Sequence, residues 1–201
     1  VGTTRRQEYA LRLSAELANE RLRAEIARRE RLERDLVERA NTDPLTKIAN
    51  RRHFEEQAAD EFRRCQRNHQ PLSLMVIDVD HFKWINDTHG HAAGDEVLRV
   101  LSEALSEQVR RIDVVGRLGG EEFAVVMPGA DKARAEEAAE RLRARISGLR
   151  VELATGPVRL TVSIGVTECD VWTEQLPRAM SRADDAMYQA KAAGRDRVVM
   201  S

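Results

Sequence analysis

Two short apolar runs, residues 114–118 and 123–127, are separated by Gly119-Gly120-Glu121-Glu122. Glycines at such a point let the backbone turn sharply, so the two runs are expected to pair as a β-hairpin with two carboxylates at its tip. Upstream, the apolar run Leu72-Ser73-Leu74-Met75-Val76-Ile77 stops at Asp78-Val79-Asp80. Two hydrophobic strands that both end in acids read as two sides of one oxygen-rich site. Such a site suits a divalent cation better than a packed core. Any fold for this chain must therefore bring the ends of these strands together.

At 201 residues the chain has room for one ordinary domain and an appendage. Its formal charge of −1 provides no overall field for a nucleic acid polymer or an anionic membrane, so phosphate binding must come from a local cluster. Cys65 and Cys169 lie far apart, outside any metal-ligand spacing, and read as reduced structural thiols of a cytosolic setting. No apolar run is long enough to span a membrane, and no signal-peptide pattern is visible. The sequence opens at Val1, without a methionine and already inside helix-forming residues, so it is read as a piece of a longer protein with an upstream part.

Residues 1–42 differ from the rest. They lack proline, hold one glycine, and are rich in Arg, Glu, Leu and Ala, all but the glycine good helix formers. A 4-3 spacing runs through Leu11, Ala15, Ala18, Leu22, Glu25, Arg29, Leu32 and Leu36, a coiled-coil seam with two polar core positions. So thin an apolar stripe has no core of its own. It predicts a long dimerising helix, with a solvated helix lying on the domain as the alternative. Asn41-Thr42-Asp43-Pro44 ends the pattern, because the residue before proline is pushed out of the α region.

From residue 43 onward helix and strand patterns alternate. Helices are expected over 51–68 (Phe54, Ala58, Phe62 and Cys65 inward), 94–109 (Val97, Leu98, Leu101 and Leu105), 132–148 (Ala135, Ala138, Leu142 and Ile146), and a last helix marked by Leu176, Met180, Ala183, Met187 and Ala190 and stopped at Gly194. Strands are expected over 72–77, 114–118, 123–127 and 158–166, with 197–200 as a short closing strand. The β-α-β-β-α-β order predicts an α+β sheet with helices on one face.

Residues 78–87 turn from apolar strand to polar loop. Asp78 would hold a cation, with the Val79 carbonyl placed to help, and Lys83 can meet a phosphate. Asn86 and Asp95 offer an amide and a carboxylate, a pair able to read a guanine edge, since Asp accepts from both N1–H and the exocyclic amine. Asp95 equally resembles a helix N-cap. Lys191 and Arg195 can both reach phosphates, or serve as ordinary cations at a helix C-terminus.

Taken in order, the motifs resemble the GGDEF domain, the catalytic module of diguanylate cyclases. They are Asp43-Pro44-Leu45-Thr46 with Asn50-Arg51-Arg52, Asp78-Val79-Asp80-His81-Phe82-Lys83 with Ile85-Asn86-Asp87, and Gly90-His91 with Gly94-Asp95. Arg117-Leu118-Gly119-Gly120-Glu121-Glu122-Phe123, Ser163-Ile164-Gly165-Val166, and Ala183-Asp184 with Ala186-Met187-Tyr188-Gln189-Ala190-Lys191 complete the set. The resemblance covers residues 43–201 and leaves 1–42 as the coiled-coil signalling helix. It implies a ferredoxin-like, palm-type cyclase fold with a central, mainly antiparallel sheet flanked by helices.

The resemblance further implies that Asp78, the Val79 carbonyl and Glu121 hold Mg²⁺ (Mn²⁺ as a substitute), with Glu122 beside them. Glu121 or Glu122 would accept the proton. Asn86 and Asp95 would contact guanine, with His91 and Phe82 in the substrate pocket, and Lys83, Lys191 and Arg195 would bind the triphosphate. The family's reaction condenses two GTP into cyclic di-GMP and two pyrophosphates. Each domain holds one GTP, so two must face each other, and the N-terminal helix would join them as a homodimer. A cytoplasmic bacterial setting, as the cytosolic part of a larger sensor, is implied.

Arg110-Arg111-Ile112-Asp113, ending six residues before Gly119, resembles the family's inhibitory RxxD site for the product, with Arg141 as a secondary contact. A surface Arg–Asp pair is the alternative. Departures are few: Lys47 and Ile48 replace a common glycine and leucine, His81 replaces an aromatic, and Trp84 is larger than usual. A catalytically silent nucleotide-binding or cyclic di-GMP-binding effector is the rival reading. Retention of Asp78, Glu121 and Glu122 weighs against it.

Overall fold

The structure is a computed structural model that describes the backbone of residues 2–201 and the side chains of residues 19–33 and 36–201. In chain order its elements are α1 (Gly2–Asn41), β1 (Ala49–Asn50), α2 (Arg51–Asn68), β2 (Leu72–Val79), α3 (Phe82–His89), α4 (His91–Gln108), β3 (Val114–Gly119) and β4 (Glu122–Pro128), followed by α5 (Lys132–Ser147), β5 (Arg150–Leu153), β6 (Gly156–Arg159), β7 (Val162–Cys169), α6 (Leu176–Ala192) and β8 (Arg197–Met200). They fall into two compact units, residues 1–40 and 41–201.

The first unit is α1. Its 40 residues would extend about 60 Å at roughly 1.5 Å per residue. Leu22, Ile26, Leu32, Leu36 and Val37 are all exposed along it. The two polar seam residues meet each other, Arg29 Nε lying 3.4 Å from Glu25 Oε1 one turn away. The side chains of Leu11, Ala15 and Ala18 lie outside the described residues. Among the described residues, no helix is long and apolar enough to cross a membrane.

The second unit is built on a six-stranded sheet of order β1-β3-β4-β2-β7-β8. Its inner strands β3, β4, β2 and β7 are antiparallel neighbours, while β1 and β8 join the two edges in parallel. This is an α+β architecture with a mainly antiparallel centre. Strand β2 is buried at every residue, which explains why it is apolar at all positions but Ser73 and Asp78. Its odd positions, Met75, Ile77 and Val79, face a core shared with α3, α4 and α5. Its even positions, Leu72, Leu74 and Val76, face a second core shared with α2 and α6. Helices therefore cover both faces, and the one-face expectation is corrected: β2 is apolar in both parities and needs both faces dry.

On the second face α6 lies directly against β7. A Cβ placed on Gly165 would overlap the Ala183 carbonyl and the Met187 backbone nitrogen, so only glycine permits this approach. Residues 158–166 are not one strand. Chain pairing breaks between β6 and β7, and β6 forms a separate two-stranded sheet with β5. In α5 the inward residues are Ala135, Ala139, Leu142 and Ile146, so Ala139 replaces Ala138 in the deepest layer.

Candidate active site

The β3–β4 hairpin turns at Gly120 and Glu121, with Gly119 paired to Glu122 after a bulge. Gly120 adopts φ 49°, a left-handed value that side-chain-bearing residues disfavour. Two anchors fix the tip. The Val79 backbone N–H donates to the Glu121 carbonyl at 3.3 Å. Arg117 donates through Nε (3.1 Å) and Nη2 (2.7 Å) to the Gly120 carbonyl. Arg117 Nη1 also lies 3.0 Å from Asp43 Oδ1, and Asp43 in turn accepts from Thr46 through its backbone N–H (2.9 Å) and hydroxyl (2.7 Å). The turn that opens the second unit is thus tied to the acidic hairpin through one guanidinium.

The two acid-ended strands do meet, Asp78 standing opposite Glu122 in the β2–β4 register. Asp78 continues the even parity of β2 and so faces α6, where Lys191 Nζ sits 2.7 Å from its Oδ2. Burial pushes the Asp78 carboxyl up to about 6 against the pull of Lys191, and Glu121 and Glu122 add to the rise. A buried carboxylate with two acidic neighbours is a place where added positive charge is welcome. Asp78, the Val79 carbonyl and the half-buried Glu121 and Glu122 form an all-oxygen donor set that fits Mg²⁺, a cation usually held by one or two carboxylates together with substrate phosphates. Among the described residues, no cluster of three or more His, Cys, Asp or Glu side chains closes around an ion position.

The segment after β2 is helical rather than a polar loop. Lys83 is exposed in the first turn of α3, and Asn86 lies on its second turn. Gly90, at φ 86°, separates α3 from α4. Because α4 starts at His91, Asp95 lies within the helix and the N-cap reading is corrected. His91 and Asp95 are both exposed. A Cβ on Gly94 would overlap the Asn86 side-chain oxygen, so the missing side chain at 94 seats the Asn86 amide against α4. The Phe82 ring is buried in the core.

Arg195 follows α6 in a run of left-handed residues: Gly194 at φ 115°, Arg195 at 64° and Asp196 at 42°. Asp80, buried just past β2, receives the Ser163 hydroxyl (2.7 Å), the Thr161 hydroxyl (2.8 Å) and the Asp196 backbone N–H (3.0 Å). The sequence marked Asp80 only as part of an acidic strand end and gave Gly94 and Arg117 no individual role. Their partners lie far along the chain or are packing contacts, and neither leaves a local pattern.

Apart from this site, Arg110 and Asp113 form a closed pair. Arg110 donates through Nη2 to Asp113 Oδ1 (2.8 Å), through Nε to Oδ2 (3.2 Å), and through its backbone N–H to Oδ2 (2.7 Å). The pair borders a cavity of about 190 Å³ that Arg141 also lines, together with Arg134 and Glu137, which the sequence did not single out.

The family model described as "Diguanylate cyclase, GGDEF domain" matches residues 40–197, and the chain belongs to that family. It is 40% identical over 164 residues to the diguanylate cyclase DgcP of Pseudomonas aeruginosa, covering 82% of this chain and 24% of that protein. It is 43% identical over 165 residues to the response regulator PleD of Caulobacter vibrioides, covering 81% of this chain and 36% of that protein. The chain thus spans about a quarter to a third of these relatives' lengths. Among solved structures it is similar to the coiled coil and GGDEF domain of DgcB from Caulobacter crescentus in complex with c-di-GMP. That match has a TM-score of 0.85 and 30% identity, covering 94% of this chain and 99% of that one.

Proposed function

We propose that this chain is a diguanylate cyclase module, in which two copies each present one GTP and together make cyclic di-GMP. The observation that carries the reading is the junction of Asp78, Glu121, Glu122 and Lys191 at one end of the sheet. Each 3′-hydroxyl attacks the α-phosphorus of the opposing GTP, a new P–O bond forms, and the bond to pyrophosphate breaks. Two such steps close the ring and release two pyrophosphates. Glu121 or Glu122 accepts the hydroxyl proton. Asn86 and Asp95 hold guanine, His91 borders the substrate, and Lys83, Lys191 and Arg195 hold the triphosphate. Asp78, the Val79 carbonyl, Glu121 and Glu122 would hold Mg²⁺, or Mn²⁺ in its place. When bound, the cation neutralises phosphate charge and lowers the pKa of the attacking hydroxyl.

One copy binds one GTP and is inert by itself. The exposed Leu22, Leu32 and Leu36 of α1 fit a parallel helix pair that raises the local concentration of the second copy. An upstream sensor segment would act through this helix, with the module on the cytosolic side where GTP is supplied. Product binds at Arg110, Asp113 and Arg141 and restrains turnover, a reading supported by the cavity these residues border.

The test is incubation with GTP and Mg²⁺ followed by nucleotide separation, with Glu121→Ala as control. Cyclic di-GMP from the parent and none from the control is the expected result. GTP binding by a dimer that forms no product would favour the silent-effector reading.

A further inference from the structure

Asp80 is a buried carboxylate to which the proposed chemistry gives no part. It is 3% exposed, and among the described residues each hydrogen bond its carboxylate accepts comes from a neutral donor. Oδ1 accepts from the Ser163 hydroxyl, and Oδ2 accepts from the Thr161 hydroxyl and the Asp196 backbone N–H. Its own N–H donates to the Thr161 carbonyl at 3.0 Å. The carboxylate therefore joins three places that the sequence separates widely: the end of β2, the start of β7, and the turn between α6 and β8.

That turn is the unusual one. Left-handed backbone is sterically disfavoured for residues with a Cβ, and it persists where the surroundings hold it in place. Here two such residues, Arg195 and Asp196, follow one another. The Arg195 N–H donates to the Ala190 carbonyl (3.0 Å), and Arg197 Nε donates to the Arg195 carbonyl (3.0 Å). The Asp196 carboxylate takes Arg143 Nη1 at 2.7 Å. The Asp196 N–H, the remaining backbone donor at the bend, goes to Asp80. These anchors fix both backbone groups of Arg195, and its side chain enters no ion pair among the described residues.

We propose that Asp80 is a positioning residue for the phosphate-binding arm. By receiving the Asp196 N–H it holds the left-handed bend that aims the Arg195 guanidinium at the triphosphate. This rests on the reading of Arg195 as a phosphate ligand. A carboxylate suits the task because it has acceptor capacity for three donors at once, and its burial keeps water from competing for the Asp196 N–H.

The experiment measures binding of two nucleotides to the full chain: the non-reactive α,β-methylene analogue of GTP, and GMP, which lacks the β- and γ-phosphates. Arg195→Ala is expected to weaken the analogue about tenfold, the loss of one charge-assisted contact, and to leave GMP within about twofold. Asp80→Ala is expected to give the same selective loss. The double variant should be no weaker than either single one, because the two residues act through one contact. Asp80→Asn, whose side-chain carbonyl can still receive the Asp196 N–H, should keep most of the affinity.

A merely structural Asp80 would lower thermal stability and weaken both nucleotides alike, or neither, and that result overturns the proposal. Additive losses in the double variant overturn it as well. If Arg195→Ala loses nothing, the reading of Arg195 fails and takes the inference with it. If Arg195→Ala loses the analogue selectively and Asp80→Ala does not, the inference alone fails. Should Asp80→Ala not fold, Thr161→Val with Ser163→Ala removes two of the three donors that hold the carboxylate. A selective loss of the analogue is expected there too, and its absence is equally decisive.

Discussion

Replacing Arg117 with alanine should disconnect the turn at Asp43 from the acidic hairpin. The guanidinium makes a bond to Asp43 at 3.0 Å and two to the Gly120 carbonyl, at 3.1 and 2.7 Å. The Arg117 and Asp43 side chains are only 15% and 18% exposed, so solvent screens the pair little. Asp43 keeps its Thr46 bonds and the exposed Gly120 carbonyl can turn to water, which holds the penalty below that of a bare buried charge. One charge-assisted bond and the weaker carbonyl contacts then amount to about 2–3 kcal/mol. For a unit of this size that corresponds to a fall in Tm of roughly 4–12 °C.

The pH dependence follows from Asp43. Burial alone would raise its carboxyl, but the Thr46 bonds and Arg117 outweigh it and hold it below its ordinary value of 3.8. A depressed folded-state value means the stabilisation is fully present above the unfolded value and is lost as pH falls through the folded one. The gap between parent and Arg117→Ala should thus be constant near neutrality and narrow below about pH 4, leaving the part due to the Gly120 carbonyl, which does not titrate. Turnover should fall by more than the folded fraction explains, since Glu121 follows the released Gly120 carbonyl. Thermal unfolding followed by circular dichroism at several pH values is the assay. A Tm within about 1 °C of the parent at pH 7 would refute the reasoning, because it would mean water already screens the pair.

Gly94→Ala should raise KM for GTP severalfold and lower Tm only slightly, because the added methyl meets the movable Asn86 side chain and only grazes the buried Phe82 ring at 3.2 Å; an unaltered KM in steady-state assays would count against Asn86 as a guanine contact. Gly165→Ala meets fixed backbone of α6 instead, and should cost about 3 kcal/mol or more or abolish folding, readable by urea titration. Lys47 occupies φ 63°, where the family commonly has glycine, so Lys47→Gly should stabilise by about 0.5–1 kcal/mol in the same titration. If product binds at the proposed inhibitory site, Arg110→Ala should let turnover continue at product concentrations that stall the parent, and equal stalling in both would count against that reading.

Much of this architecture was legible because the informative signals were local. The run into Asp78, the Gly119-Gly120 turn and the apolar faces of α2, α4 and α6 each announce themselves within one element. Helix α3 did not, because its buried residues are only Phe82 and Ile85 amid polar neighbours. That omission moved the expected start of the next helix and made Asp95 resemble a cap. The β5–β6 hairpin escaped notice because each strand has four residues and presents a single buried side chain. Long-range contacts leave no pattern at all. Arg117 finds Asp43 across 74 positions and Asp80 finds Asp196 across 116, so nothing in the neighbourhood of either residue points to the other.

The close seating of α6 on Gly165 has a mechanical consequence. Helix α6 carries Lys191 and leads into Arg195, while β7 is hydrogen-bonded along its whole length to β2, which ends in Asp78. At Gly165 backbone is pressed on backbone, and no side chain lies between helix and strand there to act as a soft spacer. The spacing between the anionic and cationic jaws is therefore set like that of a cast tool rather than a hinged one. A module built this way has little internal travel to modulate. On the proposed two-copy reading, its output would then be governed by how often, and at what angle, two finished half-sites are brought face to face.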